Sequence, residues 1–178
     1  MILNIAQAAK MKCLLVTFYN LTVLLIMKAI FLTGAAGFIG SVVAEQLLKS
    51  GFEVIGIDNF QEGFPSNVNK DICFYEGNYG DKELLEKIFS KHKVDCVFHF
   101  AAETTVEFSM TDPLIYFNNN VVNGVNLLEK MRKFSILKMI FSSTAAIYGE
   151  PEKLPIDENH PKKAVNAYGS SKFMYEGI

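Results

Sequence analysis

An apolar run, KAIFLT at positions 28 to 33, leads straight into TGAAGFIG and then into an amphipathic stretch that ends near Lys49. No other feature limits the possible folds as strongly. Gly34, Gly37 and Gly40 fall at G-x-x-G-x-x-G between a strand and a helix. There the first glycine allows a tight turn, the second lets the main chain approach a pyrophosphate, and the third lets the helix lie close on the sheet. The start of the helix then turns its free N–H groups and the positive end of its dipole toward the phosphates. An acid about 20 residues downstream completes the pattern. It is Asp58, at the end of the second strand, whose carboxylate can accept from both hydroxyls of an adenosine ribose and would repel a 2'-phosphate, with no arginine nearby. The combination favours NAD over NADP.

Short runs rich in Ile, Val and Phe alternate with longer amphipathic segments, the pattern of a parallel sheet flanked by helices. Strands are predicted at 28–33, 52–57, 72–76, 94–100 and 137–143, with helices from Phe38 to Lys49 and from Lys82 to His92. A long helix should start at the Asp112-Pro113 cap and end near Phe134. The fold class is therefore α/β, a doubly wound parallel sheet of the Rossmann type, with its ligand crevice at the carboxyl ends of the strands. The segment 149–166, with three prolines and many charges, should run irregularly over the surface.

At 178 residues the chain is long enough for one well-buried domain, read here as residues 28–178. A net charge of -2 with scattered lysines excludes the basic footprint of a nucleic-acid or anionic-membrane binder. Three cysteines without CxxC spacing and three histidines offer no metal cluster, so no metal is expected, and reduced thiols suit a cytoplasmic protein. His99 lies inside an apolar strand and reads as a hydrogen-bonded core residue, whereas His92 and His160 look exposed. Residues 1–27 form a separate apolar extension, with CLLVTFYNLTVLLIM at 13–27 behind Lys10 and Lys12. It is short for a span and has no cleavage site, so it reads either as an over-extended reading frame, Met27 being a possible start, or as a membrane anchor.

Near the other end, NAYGSSKFMYEGI places Tyr168 and Lys172 four apart, on one face of a helix. A phenol beside an ammonium is a candidate proton-transfer pair.

Taken together, TGAAGFIG, IDNF, VFHFAA, SSTAAIYG and YGSSK resemble, in order and spacing, the extended short-chain dehydrogenase/reductases, most closely the UDP-glucose 4-epimerases. The resemblance runs from Lys28 to about Glu176. It implies that Gly34, Gly37, Phe38, Ile39 and Gly40 hold the pyrophosphate, and that Asp58 and Asn59 hold the adenosine ribose. Asn78 and Tyr79 stand where relatives touch the adenine with Asp-Ile or Asp-Leu, a departure at Asn78. Phe100, Ala101 and Ala102 would line the nicotinamide side, Asn120 would steady the helix behind it, and Lys172 would bind the nicotinamide ribose.

The implied activity is NAD-dependent epimerisation of a UDP-sugar through a 4-keto intermediate. Tyr168 is the implied base, assisted by Lys172, and Thr144 hydrogen-bonds the reacting oxygen with Ser142 and Ser143 nearby. Related 4,6-dehydratases carry acids just after the Thr to eliminate water, whereas Ala145 and Ala146 cannot move protons. The stretch E-T-T-V at 103–106 is partly dehydratase-like. The resemblance also implies pairing of two chains through helices, one starting near Pro113. In the family, residues after the Tyr helix grip the nucleotide sugar, so the expectation is an N-terminal part of such an enzyme with little activity alone. The alternatives are a non-catalytic or decayed NAD-binding module, or another NAD-dependent sugar-nucleotide epimerase or dehydratase.

Overall fold

A computed structural model of the chain describes residues 28–178; the apolar extension read at 1–27 lies outside the described residues. Five strands, β1 (Ala29–Thr33), β2 (Glu53–Asp58), β3 (Cys73–Glu76), β4 (Cys96–His99) and β5 (Met139–Phe141), form one sheet in the order β3-β2-β1-β4-β5. Every pairing is parallel. The order reverses at β1, so the crevice between the loops after β1 and β4 is the expected ligand site.

The sheet is buried on both faces because its central strands are mostly apolar, and successive residues send their side chains to opposite faces. Phe31, Ile55, Ile57 and Val97 pack on one face with Leu85 and Ile88 from α2 (Lys82–Lys91) and with Leu127 and Met131 from α5 (Asn123–Lys133). Leu32, Val54 and Ile72 pack on the other with Ala44 and Leu47 of α1 (Phe38–Lys49). Each fully buried Leu or Ile contributes about 1.5–3 kcal/mol. The side chain of Asp81 starts α2 by accepting from the amides of Glu83 and Leu84 at 2.9 and 3.0 Å.

The helix foreseen from Pro113 is there, but it is not uniform. A short helix, α3 (Val106–Thr111), precedes it. It begins as α4 (Pro113–Tyr116), widens into a π-helical turn over Phe117–Val122, and continues as α5. Asp112 occupies the cap position without a side-chain capping bond. The final helix, α6 (Ala167–Glu176), is started by Asn166, whose side chain accepts from the Gly169 amide at 2.7 Å. It packs on the α5 face of the sheet, where Tyr175 lies against Phe141 and His99 and donates to the Gly124 carbonyl. Strand β5 pairs only with β4 among the described residues, and Ile140 is half-exposed there.

Two surface readings are corrected. His160 is buried: its Nε2 accepts from the Glu152 amide at 3.0 Å and its ring meets Tyr148 edge to face, so the 149–166 loop has a small core of its own. His92 is mostly covered, sharing a 2.8 Å hydrogen bond with the Tyr75 hydroxyl.

Candidate active site

A cavity of about 490 Å³ opens at the carboxyl end of the sheet, within the range usual for cofactor sites. Its floor is the glycine loop. Gly34 has φ +73°, and a Cβ there would stand 2.8 Å from the Ala101 nitrogen, so only glycine fits where the loops after β1 and β4 touch. A Cβ on Gly40 would lie 1.9 Å from the Gly34 carbonyl oxygen. The third glycine thus seats α1 on the loop itself, rather than on the strands as the motif suggests. Gly37 caps α1 without a side chain, which leaves the first-turn amides facing the cavity for an anion. Phe38, 84% exposed, and Ile39 flank them.

Asp58 closes one end. Its carboxylate accepts from the Ala36 amide at 3.0 Å and the Phe60 amide at 2.8 Å, which orients it and leaves acceptor sites free. Asn59 lines the same end from an exposed position. Tyr79 lines the cavity too, but its hydroxyl donates to the Asn119 carbonyl, and burial, with Tyr175 and Glu103 adding to it, pushes that phenol's pKa up. Asn78 lies outside the lining; its side chain accepts from the Gly80 amide at 2.7 Å in the turn before α2.

Phe100, Ala101 and Ala102 line the other end, held by a buried threonine. Thr33 Oγ1 accepts from the Phe100 and Ala101 amides, each at 3.2 Å, so its own proton goes to His99 Nδ1 at 2.7 Å. His99 is therefore the Nε2–H tautomer, fully buried, with its pKa pushed down to about 3 by burial and by the charge of Lys172. The core reading of this histidine stands.

Tyr168 lines the cavity from α6, while Lys172, one turn on, lies behind the wall at 3% exposure. The Lys172 ammonium donates to the Ser142 carbonyl at 2.9 Å and sits 4.7 Å over the Phe141 ring; burial lowers its pKa to about 8. Thr144 and Ser142 lie beside this group, outside the lining. Thr144 Oγ1 accepts from the Ala146 amide at 3.1 Å, which leaves its O–H free to donate.

Asn120 joins these parts. From the π turn its amide accepts from the Glu103 N–H at 2.8 Å, and donates to the Glu103 carbonyl at 3.1 Å and to Ser171 Oγ at 3.0 Å. The loop after β4 and the helix carrying Tyr168 are thereby pinned to one side chain. Sequence reasoning missed Gln61, Glu62, Glu103 and Asn119, which also line the cavity. Glu103 is buried, and burial, opposed by a bond from Gln61 and reinforced by Glu62, raises its pKa. A carboxylate directly after the apolar run VFHFAA was the available signal. Among the described residues no metal-binding group is assembled, and no helix is long and apolar enough to cross a membrane.

Known proteins resemble this chain in sequence and in fold. Residues 30–178 match the NAD dependent epimerase/dehydratase family. The chain is 46% identical over 145 residues to the UDP-glucose 4-epimerase of Lacticaseibacillus casei, covering 82% of this chain and 44% of that one. Its structure superposes on the UDP-glucose 4-epimerase of Thermotoga maritima with UDP-glucose at a TM-score of 0.81 and 40% identity, over 84% of this chain and 49% of that one. The epimerase of Bifidobacterium longum, in complex with NAD+ and UDP, gives 0.81 and 36%, over 85% and 48%. The chain thus spans about half the length of the relatives it matches.

Proposed function

This chain belongs to the NAD dependent epimerase/dehydratase family, and on that premise we propose that residues 28–178 are the NAD-binding and proton-transfer unit of a UDP-sugar 4-epimerase. One observation carries the reading: a single cavity runs from Asp58, past the glycine loop, to Tyr168, with Lys172 directly behind. Asp58, Glu62 and Glu103 line it, and no lysine or arginine does among the described residues, which supports NAD over NADP. NAD, when bound, supplies a reversible hydride acceptor.

The chain's own residues handle the proton and the orientation. The Tyr168 phenol takes the proton of the sugar 4-hydroxyl. A free phenol with a pKa near ~10 is a weak base at neutral pH, so its ionised form needs nearby positive charge. The Lys172 ammonium, one helical turn away, supplies it. The free O–H of Thr144 donates to the reacting oxygen. The resulting 4-keto sugar turns over and is reduced on its other face, which interconverts UDP-glucose and UDP-galactose. Elimination of water is not supported, because Ala145 and Ala146 bring no acid and the Glu103 carboxylate is engaged by Gln61 at 2.6 Å. A cytoplasmic setting is supported by the free thiols of Cys73 and Cys96. Pairing of two chains is supported by the exposed Leu114, Ile115 and Val122 along the helix that starts at Pro113.

The test is a chimera in which residues 28–178 replace the matching segment of the Lacticaseibacillus casei enzyme. It should convert UDP-galactose to UDP-glucose, and Tyr168→Phe should lower kcat by about 10²–10⁴ while NADH binding, read by fluorescence, stays unchanged. A folded chimera that binds NADH without epimerising, or full turnover in Tyr168→Phe, would remove the assignment.

A further inference from the structure

The loop after β2 folds back over the glycine loop. The Ala36 carbonyl accepts from the Phe64 amide at 3.2 Å and from Asn67 Nδ2 at 3.0 Å, while the Asp58 carboxylate holds the Phe60 amide. Both flanks of the loop are thereby fixed, and Gln61 and Glu62 form its crest. From there Gln61 Nε2 donates to Glu103 Oε1 at 2.6 Å. Because β1 lies between β2 and β4 in the sheet, this bond spans the end of β1, where the glycine loop faces the cavity. Its acceptor is firmly placed: Asn120 grips both the N–H and the carbonyl of Glu103, and Asn119 approaches the same carboxylate at 3.5 Å. Both ends of the bond line the cavity.

We infer that Gln61 and Glu103 form a clasp across the dinucleotide crevice, which makes Glu103 a cofactor-positioning residue that acts through Gln61 and sets how fast a nicotinamide dinucleotide enters and leaves. This rests on the NAD reading above. A dinucleotide stretched from Asp58 to Tyr168 has to cross the end of β1, and the clasp spans that crossing. Since the bond lies across the path of the dinucleotide, it has to open for entry as well as for exit. Its removal therefore speeds both steps and changes the dissociation constant less than either rate.

The experiment measures NADH release from the full chain by stopped flow, as the loss of NADH fluorescence on adding excess NAD. Wild type is compared with Gln61→Ala, Glu103→Ala, Glu103→Gln and the Gln61→Ala/Glu103→Ala double variant. Each alanine variant should release NADH about two- to tenfold faster, the scale of one hydrogen bond. The double variant should be no faster than either single one, because both break the same bond. Glu103→Gln keeps an acceptor oxygen for Gln61 and should recover most of the slow release. Wild-type release from Gln61→Ala, or Glu103→Gln as fast as Glu103→Ala, overturns the clasp and leaves NAD binding standing. Absence of NADH uptake by wild type overturns both.

Discussion

The two sides of the crevice hold their shape by opposite means. Toward β2 the wall is main chain: glycines packed to contact, first-turn amides and one oriented carboxylate. Toward β5 it is a network of buried polar side chains, with Thr33 tied to His99, Asn120 to Glu103 and Ser171, and Lys172 to Ser142. The first wall cannot accept an added atom. The second cannot lose a partner, because a buried donor or acceptor left unpaired costs about 1–3 kcal/mol. In the proposed function, phosphates meet the wall with almost no side chains, and protons the wall where side chains are most densely connected.

The contrast is tested most severely at the glycines. Gly40→Ala should destabilise the fold by about 3 kcal/mol or more in chemical denaturation and abolish NADH binding, because its Cβ would run into backbone that cannot move aside. At Gly37 the nearest atom to a Cβ is 3.3 Å away, so Gly37→Ala should cost less than half as much. Equal losses at the two positions would break the picture of a wall packed to contact. A smaller effect is expected at Asp58. Its replacement by alanine should weaken NAD binding about tenfold, the scale of one hydrogen bond to a charged group, and NADP binding less. Titration calorimetry that gave equal losses would separate this carboxylate from ribose recognition.

The other wall responds to pH. His99 has its pKa lowered to about 3 from an ordinary 6.5, so below about pH 6.5 the unfolded chain binds a proton that the folded one refuses, and stability falls as pH drops toward 3. Lys172 works at the alkaline end. With a folded pKa of about 8 against 10.5, it costs stability while protonated, and that cost is relieved as pH rises from about 8 to 10.5. Stability against pH should flatten on the acid side in His99→Leu and on the alkaline side in Lys172→Met. Unchanged slopes would place the pH dependence outside this wall.

The same contrast explains what could be read in advance. All five strands, α1, α2 and the glycine loop were legible, because period-two and helical patterns and backbone demands are local. Asp58 was legible because the βαβ unit fixes its distance from the loop. The polar network was not. Gln61 and Glu103 are 42 positions apart, and no spacing rule joins them. Nor does any announce the π turn in FNNNVV, although three successive asparagines inside a helix are weak formers and hinted at an irregularity. His160 looked exposed because charged, proline-rich loops usually are, and the packing of this one depends on contacts its composition does not reveal.

The π turn over Phe117–Val122 has a geometric consequence for the rod it interrupts. One extra residue advances the angular phase of everything downstream by roughly 100°. Before it, Tyr116 is buried toward Tyr168 of α6; after it, Leu127 and Met131 come into step with the oily face of the sheet, and Lys130 and Lys133 reach Glu86. A single cylinder thereby serves two walls whose directions do not share its natural winding. A chain one residue shorter here would still spell a helix, but its greasy and watery sides would be out of time with what surrounds them.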